Sequence, residues 1–461
     1  MPLWTCSITD CHRPAIRNTG DCVICDQHLC SVHIQEPSHS CPVWNDGDVY
    51  DEIAAKAEQK EMQDLLSRIN TKALAARASA LRGGKACTVP PLSYNKEKRS
   101  AVMGGMNYHF EVTFDDGVVW IARIRRHNVT SPPRAVGNYI VQSEVTTLRY
   151  LADTVPSART PRVFDFALQD STNPVGVGYI LMEKLPGTSL RWSVATDIQR
   201  RRVMDQLADV FIELSQHSFL SMGSLSLSKD GKAEVGPVAR EAFMDMHGDM
   251  LCHSGPFTSI LDYYQQDIRL VLIRILHSEL YAPKPVDAYL AHLYLRDVAP
   301  SVLPKEDIYY LKHADDKGDH LLVDADYNLT GIIDWEWAHT APASIAFNSP
   351  IGFLPVGDFY DGANDIGADE SVFAQLLADK GRDDLAQCVR TGRLQHRFAF
   401  CCGYDMDTDW EGFLGLFRGL REAVQIDAGI DWDEWKAKAL DKYRDDDGLK
   451  QLLERQQTVR K

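Results

Sequence analysis

The chain has 461 residues, 44% hydrophobic and 25% charged, proportions of an ordinary globular protein of two or three domains. A formal charge of −16 argues against a nonspecific nucleic-acid binder, which needs clustered Lys and Arg to neutralise phosphates. No stretch approaches the ~20 apolar residues of a membrane span. No basic and apolar leader precedes the first cysteines, so an intracellular protein, cytoplasmic or also nuclear, is expected, with the sequons at Asn128 and Asn328 unused.

Six of the eleven cysteines lie between residues 6 and 41 and interleave with histidines, in the order Cys6, Cys11, Cys22, Cys25, Cys30, His33, His39, Cys41. Eight sulfur and imidazole ligands in four close pairs suit two tetrahedral Zn²⁺ ions. In a reducing compartment this spacing favours metal over disulfides. The segment is too short for a hydrophobic core, so metal binding would supply most of its folding free energy. From the second cysteine pair onward the spacing resembles the AN-one-type zinc finger, while the first pair is more widely spaced. That resemblance implies cross-braced sites, Cys6, Cys11, Cys30 and His33 in one and Cys22, Cys25, His39 and Cys41 in the other. His12 and His28 are then spare. It also implies an interaction module with a protein partner.

Residues 48–82 carry many helix formers, with Met62, Leu65, Leu66, Ile69, Ala73, Ala76 and Ala80 along one apolar stripe and Gly83-Gly84 as the stop. Such a stripe is expected to pack on the chain's own neighbouring domain. Next comes strand, glycine turn, strand, tight hairpin, strand over Val102–Ile124. Gly104 and Gly105 allow backbone amides to approach phosphate oxygens. Arg123 lies on the third strand, and Glu144 opens a helix expected over Ser143–Asp153. A guanidinium there could grip carboxylate and phosphate together. Further strands are expected at residues 160–166 and 178–187.

From about residue 188 the periodicity becomes helical, with helices expected near 203–214, 260–280, 286–299, 370–390, 410–424 and 432–454. Trp410, Phe413, Leu416 and Phe417 read as core, as does the adjacent pair Cys401-Cys402. The Gly-, Asp- and Pro-rich stretch from Asn348 to Glu370 reads as a loop for an acceptor.

Residues 309–340 carry the chemistry. Leu321–Val323 and Leu329–Ile333 flank a turn-rich Asp-Ala-Asp-Tyr-Asn and predict a hairpin, with Asp315 before it and Asp334 after it. The runs His313-Ala314-Asp315 and Ile333-Asp334-Trp335-Glu336 resemble the catalytic core of the aminoglycoside phosphotransferase family, which shares the protein-kinase fold. The resemblance covers roughly residues 95–430. It implies an α+β, bilobal fold: a small antiparallel-sheet lobe (91–187) and a helical lobe (188–461) containing the catalytic loop 309–340. These follow a finger (1–45) and a helical linker (46–90).

The same resemblance implies ATP-dependent transfer of a γ-phosphate to a hydroxyl of a small molecule. Asp315 would handle the acceptor's proton and Asp334 would hold Mg²⁺, with Mn²⁺ an alternative. Gly104, Gly105, Arg123 and Glu144 would serve the phosphates, and the backbone of Glu183 and Leu185 the adenine. His320 stands where the family has a metal-binding Asn. Imidazole is a poor ligand for Mg²⁺, a hard ion, so Asp319 is the alternative donor. Ala343-Ser344-Ile345-Ala346 also departs from the family's Asp-Leu-Ala segment. The competing expectation is a nucleotide-binding or inactive pseudokinase serving as a zinc-finger adaptor.

Overall fold

The computed structural model describes residues 2–248 and 250–459. The chain divides into two compact units, residues 1–186 with 245–252, and residues 187–244 with 253–461. The fold is α+β and kinase-like: the first unit carries a small antiparallel sheet and the second is mainly helical.

The first unit is built on five antiparallel strands: β1 (Cys87–Thr88), β2 (Asn107–Phe114), β3 (Val119–Arg125), β4 (Val163–Ala167) and β5 (Tyr179–Glu183). Their order is β1-β2-β3-β5-β4. Because side chains alternate along a strand, Trp120, Ala122 and Ile124 of β3 face one side and Arg123 and Arg125 the other. The apolar side is covered by two helices, α1 (Asp48–Arg68) and α2 (Thr71–Leu81).

The single stripe expected over 48–82 is corrected here. Asn70 interrupts the helix and accepts the Ala73 amide through its side chain, restarting the helical phase. Met62, Leu65 and Ile69 bury as expected. Beyond the break Leu74 and Ala78 enter the core, whereas Ala76 and Ala80 are exposed. Fully burying side chains the size of Met62, Leu65 and Leu74 contributes roughly 1.5–3 kcal/mol each, which favours holding α1 and α2 on the sheet.

On the other side lies helix α3 (Arg134–Thr154), which starts well before Ser143 because Pro133 serves as its N-cap. Glu144 therefore sits in mid-helix. Residues 99–102 form a short helix rather than a strand, and only Met103 makes a bridge, to Tyr108.

In the second unit, strand Tyr309–Lys312 pairs with His339–Pro342, and Leu321–Val323 pairs with Leu329–Ile332. The helix expected over 370–390 is split into Ala368–Asp379 and Asp383–Thr391, and that over 432–454 into Trp432–Lys442 and Asp447–Val459. Helix Arg393–Gly403 was unexpected and carries the buried Cys401 and Cys402. Its Arg397, fully buried, donates to the carbonyls of Phe359 (3.0 Å) and Ala363 (2.5 Å) and to the Asn364 carboxamide (2.8 Å). The stretch 348–370 is thus fastened down, with a short helix at Val356–Tyr360. Phe413, Leu416 and Phe417 are fully buried, while Trp410 is half-buried with the Lys284 ammonium 4.0 Å from its ring centre. Among the described residues, no helix is long and apolar enough to cross a membrane.

Candidate functional site

At the N-terminus the ligand atoms of Cys6, Cys11, Cys30 and His33 lie within 4.8 Å of one another, and so do those of Cys22, Cys25, His39 and Cys41. Cys6 Sγ stands 3.4 Å from His33 Nδ1, Cys11 Sγ 4.0 Å from Cys30 Sγ, and Cys30 Sγ 3.6 Å from His33 Nδ1. An ion bound tetrahedrally at about 2.3 Å from sulfur and about 2.0 Å from nitrogen has edges close to these lengths. All eleven cysteines are free thiols. Burial, then the neighbouring Cys22 and Cys41, push the Cys25 thiol up to about 12. The spare His28 is used locally, bonding Asp21 at 2.6 Å and stacking on Trp4.

In the first unit Arg123 of β3 and Glu144 of α3 form an ion pair, with side-chain exposures of 8% and 4%. The register sets Arg123 opposite His109 on one side and Ile180 on the other. Gly104 and Gly105 are exposed in the turn before β2, closed by the Gly104 amide donating to the Asn107 carbonyl at 3.0 Å. Glu183 ends β5 and is exposed; its amide donates to the Arg162 carbonyl at 2.9 Å. Leu185 follows, half-buried.

In the second unit, pairing of Lys312 with His339 closes a long loop that carries both candidate carboxylates. His313 staples it. Asp315 donates its amide to His313 Nδ1 at 3.2 Å, so the proton is on Nε2, which donates to the Ile333 carbonyl at 2.9 Å. Burial lowers the pKa of His313, against the pull of the Ile333 bond and nearby carboxylates. The His313 ring rests edge-on against Trp335, at 4.7 Å between centroids, and beside His320, at 4.3 Å.

His320 is engaged within the loop itself. Its ring is buried, and its Nδ1 accepts the Gly318 amide at 3.2 Å. Burial, then the neighbouring His313, hold it neutral, with a pKa well below the usual value. It is a packed neutral base. Gly318, at φ +108°, gives the loop a turn that L side chains rarely adopt. Asp319 and Asp334 are exposed, and Asp334 holds the left-handed backbone at φ +66°, uncommon for a residue with a side chain.

Three residues that sequence reasoning missed organise this loop. Lys317 lies 3.1 Å from Asp315. Burial lowers its pKa, but the bond to Asp315 and the charges of Asp315, Asp319 and Asp334 outweigh this and raise it. The lysine is thus paired with Asp315 and lies in the field of Asp319 and Asp334. Asp316, buried, accepts the Ile351 amide at 3.0 Å and sits 3.5 Å from Lys312, which also donates to Asn348 Oδ1 at 3.1 Å. Lys312 and that amide hold Asp316 below its usual pKa despite burial. The only advance signal was a Lys two residues after Asp315. A buried Asp next to an exposed one leaves no trace in composition.

Residues 104–345, just over half of the chain, match the phosphotransferase enzyme family. The chain belongs to that family. Among curated proteins, this phosphotransferase-family chain is 35% identical over 129 residues to a subtelomeric hrmA-associated cluster protein of Aspergillus fumigatus; the match covers 28% of this chain and 24% of that protein. Among solved structures it is similar to an aminoglycoside phosphotransferase, APH(4)-Ia, in a ternary complex with AMP-PNP and hygromycin B. That likeness has 14% identity, 74% of this chain, 96% of that chain and a TM-score of 0.41. It is also similar to a macrolide 2'-phosphotransferase of Brachybacterium faecium, with 16% identity, 75% and 97% coverage and a TM-score of 0.37.

Proposed function

We propose that this chain transfers the γ-phosphate of ATP to a hydroxyl of a small molecule, and that its N-terminal segment is a two-zinc interaction module for a protein partner. The observation that carries the first part is Asp315 paired with Lys317 at 3.1 Å, on a loop that His313 fastens through the Ile333 carbonyl to the chain just ahead of Asp334. Phosphoryl transfer asks the protein mainly for positioning and charge neutralisation, and this loop offers both.

Asp315 would orient the acceptor hydroxyl and take its proton. Lys317 would stand beside it as a fixed positive charge. Asp334, with Asp319, offers the hard carboxylate oxygens that suit Mg²⁺; the engaged imidazole of His320 does not fit. When bound, that ion would neutralise charge on the nucleotide phosphates. The first unit would contribute Arg123, held by Glu144, and the Gly104-Gly105 turn to phosphate oxygens. Leu185 and the backbone end of β5 would serve the adenine. Because the Glu183 amide already bonds Arg162, any contact from Glu183 falls to its carbonyl.

A second reading, a pseudokinase that binds nucleotide and acts as an adaptor, draws on His320 in place of a carboxamide. The deciding experiment is ATP consumption by the full chain over pools of small hydroxyl-bearing metabolites, with Mg²⁺ and with Mn²⁺. Metal-dependent turnover abolished by Asp315→Ala supports transfer. Nucleotide binding without turnover across a broad panel supports the adaptor.

A further inference from the structure

We propose that the hairpin Met244–His253 is a metal-dependent latch, seated on the N-terminal segment only while that segment holds its zinc. Residues 245–252 belong to the first unit, whereas the chain on both sides of them belongs to the second.

The hairpin has little to hold it in place by itself. Its strands, Met244–His247 and Met250–His253, form a sheet of two, and an isolated two-stranded hairpin is marginal in water. No described residue from Asp245 to His253 is buried, and Met250 is 62% exposed. Its foot is anchored separately, within the second unit. There the buried Arg274 donates to the carbonyls of Ala242 at 2.6 Å and Met244 at 3.3 Å, and the Ser254 amide donates to the Phe243 carbonyl at 3.1 Å.

Beyond the foot, the Asp245 carboxylate accepts a hydrogen bond from the Arg17 guanidinium. The Arg17 side chain is only 8% exposed, against 29% for Asp245. Removing the carboxylate from a guanidinium so far out of water leaves a charge poorly compensated, which is strongly unfavourable. The pair is therefore a specific fastening and not a passing surface contact.

Arg17 is itself placed by backbone beside metal ligands. The Cys6 amide donates to the Arg13 carbonyl at 2.9 Å. The Ile16 amide donates to the Leu29 carbonyl at 2.9 Å, and the Leu29 amide to the Gly20 carbonyl at 2.8 Å, one residue before Cys30. Gly20 has to be glycine, because a Cβ there would run into the carbonyl oxygens of Ile16 and Leu29. The turn that presents Arg17 thus rests on the backbone flanking Cys6 and Cys30, two members of one four-ligand group. A segment this small keeps such a turn only with its metal bound. Loss of zinc therefore removes the seat of the hairpin, and metal content sets whether residues 245–252 are ordered.

The latch rests on the zinc assignment and not on the chain's being an active kinase. The test is hydrogen exchange of the full chain read by mass spectrometry over residues 244–253, with helix Arg393–Gly403 as an internal reference and elemental analysis alongside. Asp245→Ala lies outside the zinc-binding segment. It should keep two zinc ions and raise exchange across the hairpin at least ~5-fold through easier local opening, with the reference helix unchanged. Arg17→Ala should do the same, and Arg17→Asp combined with Asp245→Arg should restore most of the protection. Stripping the parent with a chelator should match Asp245→Ala, and stripping Asp245→Ala should add little. A parent that takes up no zinc overturns the zinc assignment and the latch with it. Zinc bound, with hairpin exchange indifferent to its removal or to Asp245→Ala, overturns the latch alone.

Discussion

His313 and Ile333 are joined across 2.9 Å by an imidazole N–H to a backbone carbonyl, so the residue two before Asp315 holds the residue just before Asp334. The two candidate carboxylates therefore share one frame although 18 residues of loop and hairpin lie between them. His313→Ala should leave the carbonyl of half-buried Ile333 and the Asp315 amide without this partner, at a cost of about 1–3 kcal/mol. Chemical denaturation of parent and variant measures that loss. In a working enzyme turnover should fall more than nucleotide affinity.

The two carboxylates should fail differently. Asp315→Ala should lower turnover by about 10²–10⁴, the span of general-base catalysis, with nucleotide affinity nearly unchanged. Asp334→Ala should also weaken metal-dependent nucleotide binding. Binding titrations beside steady-state rates separate the two, and equal losses in both quantities for both variants would refute the roles assigned.

His320 bears on metal preference. Its Nδ1 takes the Gly318 amide, so it does not offer that nitrogen to a metal, and the parent should show no preference for Mn²⁺ over Mg²⁺. His320→Asn removes a buried ring packed on His313 and should destabilise the second unit by about 1–3 kcal/mol through the space left behind. Turnover in the two metals, with thermal melting of the variant, checks both statements. A marked Mn²⁺ preference in the parent that the variant loses would restore His320 as a ligand.

How far the site could be read ahead of the structure depended on whether its chemistry shows in local spacing. The eight ligands near the N-terminus did, because Cys and His pairs are rare and their separations few. Arg123 and Glu144 could be placed on a strand and a helix from periodicity, and the family resemblance suggested their pairing, though the start of α3 was misplaced because Pro133 acts as its cap. Lys317, Asp316 and Lys312 stayed hidden, since their roles come from which side of a loop is buried. Helix Arg393–Gly403 was missed because Arg393, His396 and Arg397 are polar yet buried, an inversion that hydrophobic periodicity reads as surface. The break at Asn70 eluded a stripe-based reading for a related reason: one cap restarts the phase without changing composition.

Acid should destabilise the second unit before carboxylates as a class are protonated. Burial lowers His292 to about 4, and His339 and His396 to about 3, from an ordinary 6.5. The unfolded chain therefore binds protons below pH 6.5 that the native state refuses until about pH 3–4, so stability falls as pH falls through that window. Each such histidine costs about 1.4 kcal/mol per pH unit, or roughly 4 kcal/mol for the three at pH 5.5. Asp267 and Asp407, raised to about 6 by burial, bind protons more readily when folded and offset part of it. The expected result is a lower Tm at pH 5.5 than at pH 7. An unchanged or higher Tm at pH 5.5 would contradict it.

The N-terminal segment gives the most direct test of the metal assignment. Its buried apolar set is small, chiefly Leu3, Ala15, Ile16 and Leu29, too little to hold residues 1–45 without cross-links, and no disulfide is present. Two ions in the two four-ligand groups would supply what the core lacks. Elemental analysis of the full chain should return two Zn²⁺ per molecule, and one or none would refute the assignment. Cys25→Ser should reduce the content to one and free the remaining ligands of that group for alkylation. The Asp315–Lys317 loop lies in the other unit, so nucleotide-dependent protection of the second unit from proteolysis should survive the same change. A Cys25→Ser protein that keeps two zinc ions would show that Cys25 is not a ligand and that the grouping Cys22, Cys25, His39 and Cys41 is wrong.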